Sequence, residues 1–124
     1  PDELFAMPAA RRDTVRRLAA AVAGGSVVLD AGSDPHTARD QLLALKGIGP
    51  WTADYVMMRG LGHPDVFLCT DLVAVNALTA LGLTIDDTSE WAPWRSYALH
   101  HLWASLGTLD AAAAAATRPR KDNL

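Results

Sequence analysis

The sequence predicts an all-α protein, and three observations carry this prediction. Alanine is used heavily, half of the 124 residues are apolar, and runs typical of β-strands are scarce. Apolar residues recur three and four positions apart in several segments, which places them on one face of a helix. Glycine and proline stand at the ends of these segments, where they stop or start helices. A chain of this length can form one domain with a modest core.

A first helix is predicted over residues 8–23, with arginines on the face opposite its apolar residues. The apolar positions with helical spacing are Val15, Leu18, Ala19 and Val22. Gly24 and Gly25 end this helix, because glycine readily adopts the backbone conformation that terminates one. Residues 26–30, SVVLD, form a short segment that is expected to be extended.

The second and third helices are predicted to be joined by a tight hairpin. Asp34 is a good N-cap and Pro35 a good first helical residue, so the second helix begins here and runs to about Leu45. Residues 46–49 form the hairpin turn. The third helix covers about 50–59 and begins with a proline.

The remaining elements follow from similar start and stop signals. A loop over 63–69 precedes Thr70, which is expected to cap a helix running through Leu81. A short helix is predicted over 86–91.

The last helix is predicted to begin at Pro93 and to stop at Gly107. Residues 1–107 are therefore expected to form one helical domain. Residues 108–124 are expected to form an alanine-rich, basic C-terminal tail, which is more often a solvated end than a binding arm.

The overall charge counts against a generic DNA-binding protein. Eleven basic and 14 acidic residues give a net charge of −3, whereas proteins that neutralise DNA phosphates with side chains are usually basic. The charge is unevenly placed, however, since four arginines cluster over residues 11–17. No apolar run is long enough to cross a membrane, so no membrane partner is predicted. The single Cys69 excludes an internal disulfide framework and a four-cysteine metal site within these residues, and it fits a reducing cytoplasm.

Residues 42–55, LLALKGIGPWTADY, hold the most informative motif. Gly47 and Gly49 flank the apolar Ile48 in the hairpin. A Gly-apolar-Gly turn lets two helices meet closely and leaves backbone N–H groups at a helix N-terminus uncovered, which suits a phosphate. Many helical hairpins use glycine simply to turn the chain, so the motif alone also allows that interpretation.

The segments LxxLKGIGPWTADYVMMRG, PDVFLCTD and WAPWRSYALHHLW together resemble a known superfamily. It is the helix-hairpin-helix, Gly/Pro-rich, Asp superfamily of DNA base-excision glycosylases, and the last segment resembles its alkylation-repair branch, the 3-methyladenine DNA glycosylase II type. Asp71 follows Gly49 by 22 residues, the kind of interval that this superfamily uses. The resemblance covers about residues 5–107 and implies the C-terminal portion of the helical glycosylase domain.

The resemblance implies a phosphate-binding hairpin and a catalytic carboxylate. The N–H groups of Gly47, Ile48 and Gly49 would hold a DNA phosphate, often in this family with a monovalent cation at the hairpin carbonyls; no other metal and no cofactor is predicted. Asp71 would stabilise the positive charge that builds on the sugar and would orient or deprotonate the attacking water. The alternative is that Asp71 only caps the helix near Thr70.

The resemblance also implies an aromatic pocket for a flipped-out base. Trp51 and Tyr55 are four residues apart and therefore share one helix face. An alkylated purine carries positive charge, so aromatic rings attract it by stacking and cation–π interaction. Trp103 matches a further base-stacking tryptophan, although core packing is the alternative, and it is strongest for this residue because it lies in an ordinary apolar stripe.

Two departures from family patterns refine the expected chemistry. Relatives that also cut the DNA backbone have a lysine where this chain has Trp51, and Lys46 lies at a different position, so a monofunctional enzyme with water as nucleophile is implied. The single cysteine excludes the iron–sulfur motif of the endonuclease III branch from this chain. The triplet Cys69-Thr70-Asp71 stands where close relatives often have Pro-Asp-Asp, so a shared role for two acids is in doubt.

The predicted function is base-excision repair by hydrolysis of the N-glycosidic bond of alkylated purines in duplex DNA. The chain begins with PDELFAM, without an initiator Met, so we expect a fragment that lacks an N-terminal part of its parent and is weak or inactive alone. The parent is expected in the bacterial cytoplasm, associated with the nucleoid through DNA, and some relatives are fused to a methyl-accepting transcriptional activator. The alternatives are a non-enzymatic helix-hairpin-helix module that binds the DNA backbone and a helical packing domain without a DNA role.

Overall fold

The computed structural model describes residues 6–117 of the chain, and this part is built from helices. The five α-helices are α1 (Ala9–Ala23), α2 (Pro35–Leu43), α3 (Pro50–Gly60), α4 (Leu72–Ala80) and α5 (Arg95–Thr117). A 3₁₀ helix covers Asp86–Trp91. Residues 6–117 contain no β-strand, and the all-α prediction is confirmed.

Helix α1 ends at the predicted pair of glycines. Gly24 is the C-cap, and Gly25 follows with φ of +74°, a conformation that favours glycine. Residues 26–30 form a loop. The N–H of Val28 donates to the side chain of Gln41, 3.0 Å away, which joins this loop to α2.

Helices α2 and α3 begin where the sequence predicts. The Asp34 carboxylate caps α2 by accepting a hydrogen bond from the Thr37 N–H at 2.8 Å. Helix α2 ends at Leu43, two residues before the predicted end. A bidentate ion pair joins the two helices: Arg39 donates through Nε and Nη2 to the two carboxylate oxygens of Asp54, at 2.5 and 3.2 Å.

The described chain forms two compact units, the first ending at Val66 and the second beginning at Phe67. In the first unit, helices α1 to α3 and the hairpin enclose one apolar core. Its buried members are Ala21, Val27, Ala38, Leu42, Ile48, Ala53 and Met57. Burial of these side chains is what holds the hairpin against α1.

In the second unit, α4 and the 3₁₀ helix pack against α5. The buried apolar residues of this unit are Phe67, Leu68, Ala74, Ala77, Leu78, Leu99 and Leu102. Phe67 also meets Trp91 edge to face, with ring centroids 6.2 Å apart. This packing positions the start of α4, where the candidate catalytic aspartate lies.

Helix α5 differs from its prediction at both ends. It begins at Arg95, two residues after Pro93, and it continues through Gly107 to Thr117. A single interior glycine costs a helix only about 1 kcal/mol relative to alanine, and the alanines over 111–116 have the highest helix propensity of any residue, so the helix continues. The first part of the predicted tail is therefore helical, and residues 118–124 lie outside the described residues. The domain boundary at 107 stays a prediction.

Candidate functional site

The hairpin between α2 and α3 requires glycine at position 47. Gly47 has φ of +100°, which side chains rarely adopt. A Cβ at this position would also collide with the hydroxyl of Thr14 and lie 3.1 Å from two carbons of the same side chain. Glycine is needed here for conformation and for close contact with α1, so the turn interpretation of the motif holds for Gly47.

Gly49 lies in a different environment. It is the N-cap of α3 with φ −96° and ψ 177°, a conformation open to any residue. Apart from Gly49 itself and its two chain neighbours, no atom of the described chain lies within 4 Å of the Cβ that could be built on it. The next residue, Pro50, has no N–H, and no side chain in residues 6–117 caps α3. The fold does not demand glycine here, and the missing side chain leaves the N-terminus of α3 open to solvent.

The third predicted donor of the hairpin is already engaged. Ile48 is buried, with 7% of its surface exposed, and anchors the turn in the core. Its N–H donates to the Leu45 carbonyl at 3.1 Å. A phosphate would have to compete with this carbonyl for the Ile48 N–H. The geometry therefore favours the N–H groups of the two glycines over that of Ile48.

Trp51 and Tyr55 form an aromatic pair on one face of α3, as their spacing predicts. Their rings are nearly parallel, with centroids 5.0 Å apart and planes inclined by 15°. Trp51 is 40% exposed, which is unusual for a large apolar side chain that serves only to fill a core. The pair lies next to the open N-terminus of α3 and presents an aromatic surface to solvent.

Asp71 is the N-cap of α4. Its Oδ1 accepts a hydrogen bond from the Ala74 N–H at 2.8 Å, and its own N–H donates to the Leu68 carbonyl at 2.9 Å. The prediction that Thr70 caps this helix is wrong by one residue. Asp71 has the extended backbone of an N-cap (φ −75°, ψ 111°), and its carboxylate is a strong cap acceptor. Asp71 therefore has the helix-capping role that the sequence allowed as an alternative to catalysis.

Trp103 makes a contact that the sequence interpretation missed. Its indole Nε1–H donates to Asp71 Oδ1 at 3.2 Å, so the same oxygen accepts from the helix N-terminus and from the tryptophan. The ring is half-buried and meets His100 edge to face, with centroids 5.4 Å apart. Asp71 and Trp103 are 32 residues apart, and no local pattern in the sequence signals their contact.

The structure brings the predicted residues together in two groups. The hairpin, Trp51 and Tyr55 lie in the first unit, while Asp71 and Trp103 are hydrogen-bonded in the second. Within residues 6–117, no cluster of three His, Cys, Asp or Glu residues could hold a metal ion. No helix in the described part of the chain is both long and apolar enough to span a membrane.

The Lys46 carbonyl of the hairpin and the Leu45 carbonyl just before it already accept hydrogen bonds. The Leu45 carbonyl accepts from Ile48, and the Lys46 carbonyl accepts from Nη1 of Arg17 at 3.4 Å. The guanidinium is permanently charged and would repel a metal cation at the same oxygen. The monovalent cation that the family resemblance implies at the hairpin carbonyls stays a prediction.

Comparison with known proteins identifies relatives that share most of the chain. No protein-family model matches it. The chain is 50% identical over 108 residues to the probable bifunctional transcriptional activator/DNA repair enzyme AlkA of Mycobacterium tuberculosis, covering 82% of the chain and 22% of that protein. It is 35% identical over 105 residues to DNA-3-methyladenine glycosylase 2 of Escherichia coli, covering 82% of the chain and 36% of that protein. The chain thus spans roughly a fifth to a third of these relatives.

A solved structure supports the same relationship. The crystal structure of DNA-3-methyladenine glycosidase from Bacillus halodurans matches with a TM-score of 0.75 and 27% sequence identity. The match covers 86% of this chain and 54% of that one.

Proposed function

Because the chain belongs to the alkylation-repair branch of the helix-hairpin-helix DNA glycosylases, we propose that its protein removes alkylated purines from duplex DNA by hydrolysis. The reaction would be the first step of base-excision repair. The observation that carries the proposal is Asp71, whose carboxylate is fixed at the N-terminus of α4 by hydrogen bonds from Ala74 and Trp103.

The proposed chemistry needs a carboxylate in a fixed position. The bond between C1′ of the sugar and the purine nitrogen breaks, and its electron pair leaves with the base. Positive charge then builds on the sugar, and the Asp71 carboxylate stabilises it electrostatically. Water adds to C1′, and the carboxylate accepts the proton that the water loses.

The two hydrogen bonds to Asp71 Oδ1 support a preorganised carboxylate. A side chain that already accepts from the Ala74 N–H and the Trp103 indole does not have to be ordered when the substrate binds. Trp103 thus acts as a positioning residue for Asp71, in addition to the base-stacking role that the family resemblance implies.

Trp51, the residue beside the hairpin, supports a monofunctional reaction, in which the base is removed and the DNA backbone is not cut. Relatives with lyase activity use a lysine where this chain has Trp51, and a tryptophan cannot form a Schiff base. Trp51 and its stacked partner Tyr55 would instead line the pocket for the flipped-out base. The electron-rich faces of these rings suit a purine that carries a positive charge after alkylation.

The hairpin would hold the DNA backbone next to the lesion. The N–H groups of Gly47 and Gly49, with the uncapped N-terminus of α3, form a small positive surface that does not depend on lysines. Phosphate binding through backbone N–H groups is compatible with the chain's net charge of −3. Gly49 permits close approach of a phosphate, since no side chain stands in its path.

The proposal places the protein in the bacterial cytoplasm, where it would associate with the nucleoid through DNA. The name of the Mycobacterium tuberculosis relative combines a transcriptional activator with a repair enzyme. We extend this arrangement to the present protein as part of the proposal: the glycosylase region is fused to a methyl-accepting transcriptional activator.

A second candidate function is a non-enzymatic module that only binds the DNA backbone. The N-cap geometry of Asp71 favours it, because a helix cap alone would explain an aspartate at this position. This candidate predicts salt-sensitive binding that does not distinguish damaged from undamaged DNA and does not depend on the Asp71 charge.

Substitution of Asp71 by asparagine separates the two candidates. Asparagine caps helices about as well as aspartate, so Asp71→Asn should keep the fold while removing the charge. We expect release of methylated purines from alkylated duplex DNA to fall about 100-fold or more, with DNA binding largely intact. The measurement is base release by the full-length protein containing these residues, together with its thermal unfolding.

Asp34→Asn is the matched control for this experiment. Asp34 caps α2 through the same kind of bond, at the same 2.8 Å distance, outside the candidate site. Its substitution should leave base release unchanged. Wild-type rates in Asp71→Asn would disprove the catalytic role, and lesion-blind binding without base release in the wild-type protein would favour the second candidate.

A further inference from the structure

Helix α1 contacts the hairpin through one of its faces. The side chain of Thr14 fills the space beside Gly47, and one turn later Nη1 of Arg17 donates to the carbonyl of Lys46, 3.4 Å away. Both contacts join α1 to residues of the predicted phosphate-binding turn. The arginine cluster that the sequence places in α1 is therefore not simply a solvated charged surface.

Arg17 and Arg16 are adjacent in the sequence but face different directions. At about 100° per residue, Arg17 lies about 60° from Thr14 around the helix axis and Arg16 about 160°. Nη1 of Arg16 makes a 3.4 Å ion pair with Asp13 on its own helix. Of these two guanidinium groups, the one of Arg17 is directed to the hairpin.

The chemistry of the Arg17 side chain suits a second phosphate. A guanidinium carries five N–H donors in a planar fork that matches phosphate oxygens, and the single long bond to the Lys46 carbonyl uses one of them. The bond holds an exposed side chain near the hairpin, which reduces the entropy lost on binding. Lys46 is also exposed, so two cations border the turn in a chain of net charge −3.

We propose that Arg17 is a DNA-binding residue that contacts a backbone phosphate beside the one held by the hairpin. Arg17 supplies positive charge beside the Lys46 carbonyl of the hairpin. This inference rests on the proposed function, since it names a further contact of the same DNA-binding surface. It assigns Arg17, one member of the arginine cluster of α1, a role that the hairpin motif does not include.

The salt dependence of DNA binding tests this proposal. Each phosphate contact contributes about 0.9 to the slope of log affinity against log salt concentration. Arg17→Gln should therefore lower the slope by about 0.9, so that its affinity falls about 3.5-fold less than the wild type's between about 50 and 200 mM salt. The probe is a fluorescent duplex containing an alkylated purine, and the measurement is anisotropy with the full-length protein.

Arg16→Gln is the matched control, because it removes the same charge one residue away and on another face of α1. It should leave the slope near the wild-type value. Arg17→Lys should restore most of the slope, since a lysine keeps the charge, and it should recover less of the affinity, since it lacks the fork. Thermal unfolding checks that each variant is folded.

The outcomes separate this proposal from the proposed function. An unchanged slope in Arg17→Gln, or an equal decrease in Arg16→Gln, would overturn the role of Arg17 while base release by the wild-type protein leaves the glycosylase proposal intact. A wild-type protein that neither binds the duplex nor releases a base would overturn both.

Discussion

Alanine substitution of the two hairpin glycines should separate their roles, because the structure gives each a different reason to be glycine. Gly47→Ala is expected to destabilise the fold. Gly49→Ala is expected to leave the fold nearly unchanged and to weaken DNA binding. The two positions are two residues apart and receive the same methyl group, so each variant is a control for the other.

The cost of Gly47→Ala follows from two features of the turn. A side chain at φ of +100° costs about 1–3 kcal/mol of stability, and the collision with the Thr14 hydroxyl adds a similar overpacking cost. Together these give about 2–6 kcal/mol, which for a domain of this size lowers the melting temperature by roughly 10 °C or more. Adding Thr14→Ala should recover the part due to the collision and leave the part due to φ.

The effect of Gly49→Ala should appear in binding. The backbone at Gly49 suits any residue, and its Cβ would point into open space, so the change in stability should stay within about 0.5 kcal/mol. The added methyl would keep a phosphate from the N–H groups at the start of α3. Loss of one hydrogen bond to a charged group costs about 1.5–3 kcal/mol, or about 10- to 100-fold in affinity.

Thermal unfolding and anisotropy with an alkylated duplex measure both effects. A Gly49→Ala variant that binds DNA like the wild type would show that no phosphate approaches this residue, and the assignment of the hairpin would be refuted. A Gly47→Ala variant with an unchanged melting temperature would refute the argument from φ and from Thr14.

Two further predictions concern aspartate side chains that accept hydrogen bonds. Trp103→Phe keeps an aromatic ring but removes the bond to Asp71, so base release should fall about tenfold or more with little change in melting temperature; an unchanged rate would contradict the positioning role. Hydrogen bonds from Thr37 and Thr84 lower the pKa values of Asp34 and Asp87 below 3.8, so stability should be lost as the pH falls through and below that value. Thermal unfolding of Asp34→Ala and Asp87→Ala should show a smaller loss over that range, and equal losses would argue against these bonds.

The helices that the sequence predicted best are those whose ends are set by a capping residue, a proline or a glycine at the end itself. Asp34 and Pro35 start α2, and Gly24 ends α1, because caps act within one helical turn. The shared face of Trp51 and Tyr55 was predicted for the same reason, since it depends only on helix geometry.

The predictions that failed, and the contacts that were not predicted, involve either two competing local signals or residues that are distant in the sequence. Gly107 was expected to stop α5, but the alanines that follow outweigh one glycine. Thr70 and Asp71 are both good caps, and the backbone of the folded chain places Asp71 at the N-cap position. The contacts of Trp103 with Asp71 and of Thr14 with Gly47 join distant positions, so they required the fold.

The cap formed by Asp71 has a consequence for how this chain can change over time. Active-site residues commonly reduce the stability of a protein, so replacing them often makes the fold more stable. Asp71 instead satisfies an N–H at the start of α4, and most replacements would forfeit that bond. Selection for folding alone would therefore limit position 71 to the few residues that cap helices well, and among these aspartate is the one that carries the charge needed for the proposed reaction.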